Sequence, residues 1–84
     1  MLKGASIGDM VFISEGQEGI GSVRDIRNNH FVLFVENAGE FEISGSAVVS
    51  VHDGKVMVSP ARLPRDVLEA IGHVHDREDP DLAG

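Results

Sequence analysis

The side chains able to do chemistry are few and scattered. His73, His75 and Asp76 place two imidazoles and a carboxylate close together, donors that a divalent cation accepts. On a helix, however, residues two apart point about 200° away from each other, and helical metal pairs sit three or four apart. Histidines near a helix C-terminus are instead favoured by the dipole when charged, so no metal is expected. His52-Asp53 falls in a turn, where Asp is accounted for by turn chemistry. His30 opens an apolar run, and Ser14, Ser22, Ser44, Ser46, Ser50 and Ser59 lie at no spacing that pairs a nucleophile with a base. Arg24 and Arg27 could anchor an anion or pair across a sheet with Glu36, Glu40 or Glu42. Gly16, Gly19 and Gly21 suggest a phosphate loop, but such a loop needs a helix behind its glycines. Here Ser22 to Ile26 reads as strand and no Gly-Lys-Ser/Thr follows. A tight turn and a strand bent at its glycines is the simpler reading. No catalytic residue and no cofactor are expected, and an enzyme is not.

The elements that must carry these residues are short. Met10 to Ile13 is an apolar run between turn signals, hence a strand. Ile20 to Ile26 is a second, Arg27-Asn28-Asn29 a turn, and His30 to Glu36 the strongest strand. Asn37-Ala38-Gly39 turns the chain into Phe41 to Ser44, which alternates apolar with polar as a half-buried strand does. Val48 to His52 and Lys55 to Val58 flank Asp53-Gly54, a favoured type I′ hairpin turn. After Ser59-Pro60 the period changes to helical, with Leu63, Val67, Leu68, Ile71 and Val74 on one face. Pro64 suits a first turn, Asp66 and Glu69 complement the dipole, and Gly72 weakens the helix. The predicted fold is mostly β: a small bent antiparallel barrel of about six strands with one C-terminal helix. A single domain is expected over 1–84, with the barrel at about 8–59, the helix at about 63–75 and an acidic flexible tail at 76–84.

The totals limit the partners. There is no cysteine, hence no disulfide framework and no thiolate site. The start has no apolar h-region and no run approaches the roughly 20 residues that span a bilayer, so a cytoplasmic protein without membrane insertion is expected. The formal net charge is −7 and the acidity is spread along the chain. Phosphate contacts need clustered Lys and Arg, so nucleic acid is disfavoured as a partner.

Residues 16 to 59, "GQEGIGSVRDIRNNHFVLFVENAGEFEISGSAVVSVHDGKVMVS", resemble a PRC-barrel domain. The Gly-x-x-x-Gly-x-Val start of that family is approximated by Gly16 to Val23. Its Val-x-x-Val-x-Asp-Gly-x-Val-x-Val finish is matched at Val48, Val51, Asp53, Gly54, Val56 and Val58. The resemblance covers roughly residues 8 to 59. It implies a small β-barrel that mediates protein contacts, as in the photosynthetic reaction-centre H subunit and a ribosome-maturation factor, with no catalytic residues to carry over. The stretch "IGDMVFISEGQEGIGSVRDI" also resembles a KOW-type segment, which implies RNA or the transcription and ribosome machinery. Glu15, Gln17 and Glu18 stand where that pattern carries Lys and Arg.

The strands supply one further expectation. His30 to Val35 is apolar on both sides: Phe31, Leu33 and Val35 point one way, Val32 and Phe34 the other. Met10 to Ile13 has the same two-sided character. A small barrel covers only inward faces, so an outward patch of Met10, Phe12, Val32 and Phe34 needs another cover, as does any part of the helix stripe left over (Leu63, Val67, Ile71, Val74). A homodimer, or contact with an unidentified protein, is the expected remedy.

Overall fold

A computed structural model describes residues 2–14 and 18–72. The chain forms β1 (Met10–Ile13), β2 (Gly19–Ile26), β3 (His30–Val35), β4 (Gly39–Ser44), a 3-10 turn (Gly45–Ala47), β5 (Val48–His52), β6 (Lys55–Val58), a second 3-10 turn (Pro60–Arg62) and helix α1 (Arg65–Ala70). All six strands lie in one sheet, in the order β4-β3-β2-β1-β6-β5. The turn chemistry explains the hairpins. Asp53 and Gly54 both have positive φ, 53° and 76°, as a type I′ turn requires, and the turn joins β5 to β6 in antiparallel register. At the β3–β4 turn Asn37 holds φ 72°, and the Ala38 N–H donates to the Val35 carbonyl at 3.0 Å.

Two expectations about the sheet are corrected. It is mixed rather than antiparallel, because β1 runs parallel to β6, Met10 beside Lys55 and Ile13 beside Val58. It is also not closed into a barrel by hydrogen bonds, since β4 and β5 are its two edges. The reason lies in the strand directions. β4 and β5 both run opposite to β1, so the chain passes from one edge to the other without reversing. They follow each other round a corner instead of lying side by side. The corner still forces a strong curl. Flat, six strands would hold their edges about 24 Å apart, whereas the link from Ser44 to Val48 spans at most about 14 Å. Extra residues help the bending: the register slips in β2 beside Val11/Phe12 and again between Val23 and Asp25, and in β5 between Val48 and Ser50.

The curl encloses one apolar core. Val11 and Ile13 of β1, Ile20 and Val23 of β2, Phe31, Leu33 and Val35 of β3, and Ile43 of β4 point into it. Val48, Val56 and Val58 join them from the hairpin, and Leu2 and Ala5 pack at its margin from the chain start. Leu63, Val67 and Leu68 belong to the same cluster, so the helix stripe is buried on its own sheet. The helix is shorter than the sequence suggests. Pro64 is its N-cap, and Gly72, with φ 79°, ends it while its N–H donates to the Glu69 carbonyl at 3.2 Å. Gly72 is therefore a stop signal, not a weak interior position. His73, Val74, His75, Asp76 and the acidic tail lie outside the described residues, as do Glu15, Gly16 and Gln17. No described helix is long and apolar enough to cross a membrane.

Candidate interaction surface

Alternation along β1 sends Val11 and Ile13 inward and leaves Met10 and Phe12 on the convex side. The pairing register extends that side across the sheet. Met10 stands between Ser22 of β2 and Lys55 of β6, and Phe12 between Gly19 and Met57. Met57 in turn stands beside Ser50 of β5, next to the extra residue Val49. Met10, Phe12, Met57 and Val49 thus form an outward apolar band over β1, β6 and β5. Met10 is 48% exposed and Val49 50%. Ile7, just before β1, is 65% exposed. Met57 and Val49 were not among the sequence candidates. The alternation Val56-Met57-Val58 would have placed Met57 outward. Val49 is turned out by a bulge, and no residue type at that position announces one.

Two cations lie over aromatic rings on this side. The guanidinium carbon of Arg24 sits 4.5 Å from the centre of the Phe34 ring, and its Nε is 3.5 Å from Glu40. Arg24 is the extra residue of the second β2 bulge, which sends it over β3 toward β4. The Lys55 amine lies 5.8 Å from the centre of Phe12, and the Phe12 edge rests against Gly19. Such stacking covers part of each ring while the charged end stays in water.

The remaining sequence candidates separate by burial. Val32 is buried although it lies outside the main core cluster, flanked in register by Asp25 and Glu42. Phe34 is half-buried under Arg24. Leu63 and Val67 are taken up by the core, and Ile71 is half-buried against it. Of the candidates within the described residues, Met10 and Phe12 remain as the outward pair on β1.

Arg27 pairs with its neighbour Asp25 at 3.2 Å rather than with Glu36, Glu40 or Glu42. Arg65 reaches Glu69 at 3.4 Å, and Arg62 donates to the Ser46 carbonyl at 2.9 Å. His30 Nε2 is enclosed and stands 3.5 Å from the Glu42 carboxylate, an ion pair only when the imidazole is protonated. Among the described residues no three His, Asp or Glu side chains gather as a metal would need. A shallow depression of about 320 Å³, lined by Leu2, Asn28, Asn29, Ser44, Gly45 and Ser46, lies at the β4–β5 corner. Its hydroxyls bond each other, Ser44 to Ser46 at 2.9 Å. No protein-family model matches this chain, and the search of curated proteins returns no relative.

Proposed function

We propose that this chain is a non-catalytic, cytoplasmic protein-interaction module of PRC-barrel type that associates with a second copy of itself. The observation that carries this reading is the outward band of Met10, Phe12, Met57 and Val49. A small domain spends its apolar side chains on its core first. Here the core cluster does not include these four, and the helix packs into that cluster instead of over them. Contiguous apolar surface of a few hundred Å² is seldom left bare on a monomer. A twofold contact covers it with the fewest parts, because one patch meets itself.

Light scattering on a size-exclusion column at tens of micromolar tests the reading. Twice the chain mass of 9.0 kDa is expected. Met57→Glu, in the middle of the band, is expected to return a monomer that still melts cooperatively. A wild-type chain that elutes at its own mass at every concentration would sink the self-association reading.

A further inference from the structure

We infer that self-association runs through the open edge of β5, so that β5 of one copy pairs antiparallel with β5 of the other and the two sheets become one. The inference rests on the self-association reading and names the contact that carries it.

A sheet with two edges offers two places for strand addition, and the two edges here differ in charge. β4 reads Gly-Glu-Phe-Glu-Ile-Ser, with Glu40 and Glu42 both exposed. In a twofold antiparallel pairing about Phe41, Glu40 of each copy would stand opposite Glu42 of the other. Like charges directly opposite are destabilising, and edge charges are a common guard against pairing. β5 reads Val-Val-Ser-Val-His and carries no carboxylate, lysine or arginine. A twofold pairing about Val51 sets Ser50 of each copy against His52 of the other, with no repulsion between formal charges. Pairing β4 of one copy with β5 of another is heterologous, giving a ring or an open chain, and still brings the carboxylates of β4 into the contact.

The backbone of β5 is also available. In a two-residue hairpin the residues flanking the loop exchange both hydrogen bonds, so His52 faces Lys55. Val51, paired with Val56 one step back, therefore turns its N–H and C=O to the open edge. Among the described residues no backbone group of 49–52 is hydrogen-bonded outside the β5–β6 ladder. The bulge that displaces Val49 leaves Ser50, Val51 and His52, the residues this pairing uses, in regular register. β5 also borders the apolar band through the Ser50–Met57 pair, so edge pairing brings the two bands together at the seam.

The test is residue-resolved amide hydrogen exchange of the full chain at micromolar and at near-millimolar concentration, with light scattering alongside. The Val51 amide is expected to slow by about tenfold as the dimer fills, while solvent-facing amides of β4 stay unchanged. Val51→Pro, which removes that edge-facing N–H and leaves the β5–β6 ladder its hydrogen bonds, is expected to give a monomer that still melts cooperatively. If the chain dimerises but Val51 exchange is independent of concentration, and Met10→Glu breaks the dimer while Val51→Pro does not, the edge inference falls and self-association stands. A chain that is monomeric throughout removes both.

Discussion

At Gly21 no side chain fits. A Cβ built there would run into the Phe34 carbonyl oxygen and come within 3.0 Å of a Leu33 methyl. Gly19 differs: its Cβ would meet only the edge of the Phe12 ring, at 3.4 Å, and that ring can swing away. The two glycines look alike in the sequence, yet one is a close approach of β2 to β3 and the other sits under a movable side chain. Gly21→Ala is therefore expected to lower stability by about 1–3 kcal/mol, as overpacking does. Gly19→Ala should stay within about 0.5 kcal/mol of wild type. Urea unfolding of the two variants measures the contrast, and equal losses would contradict it. Arg24 gives a second case at this scale. Its pair with Glu40 is more than half exposed, so the ion pair adds little. Its larger effect is the cover it lays on Phe34. Arg24→Ala should change the melting temperature by no more than a few degrees and raise binding of an apolar dye, because the ring then faces water.

The helix has six residues, too few to persist alone in water, so its stability comes from docking. Val67 and Leu68 are fully buried, whereas Glu69 is exposed. Leu68→Ala should cost about 2–5 kcal/mol through lost burial and the cavity left behind. Glu69→Ala should cost no more than its pair with Arg65, about 0.3–0.5 kcal/mol. Equal, small losses in chemical denaturation would mean that the helix does not hold the core together. The strands, their bounds to within two residues, and the Asp53-Gly54 turn were legible in the sequence because each depends on near neighbours: alternation, apolar runs and turn residues. The place of β1 was not. It sits between β2 and β6, and its parallel pairing with β6 joins residues more than forty positions apart, which no local pattern encodes. The same limit hid the edges. That β4 and β5 follow each other round a corner depends on all six strand directions at once. Of the outward apolar band, Met10 and Phe12 were legible from the two-sided character of β1. Val32 was misjudged as open surface because alternation gives the side of the sheet but not what the neighbouring side chains cover.

For the whole molecule, charge and apolar surface pull association in opposite directions. Each chain carries −7, and two copies in contact stand roughly two radii of gyration apart, the radius being 12.3 Å. Treated as point charges in water, they repel by about 8 kcal/mol without salt. With a Debye length of about 30 Å at 0.01 M salt the repulsion is still about 3–4 kcal/mol, and at about 8 Å, in 0.15 M, it falls below about 1 kcal/mol. An ion-paired interface behaves the other way, weakening as salt rises. The band of Met10, Phe12, Met57 and Val49 and the edge of β5 carry no formal charge, and Lys55 of β6 stands beside Met10. In the proposed contact, attraction would come from apolar burial and backbone hydrogen bonds, which salt in this range hardly screens. Association should therefore tighten as salt rises, by about tenfold or more in Kd between 0.01 M and 0.15 M, then level off once the repulsion is screened. Sedimentation equilibrium across a salt series measures this directly. A Kd that weakens with salt would mean that charged groups outside this band and edge hold the two copies together.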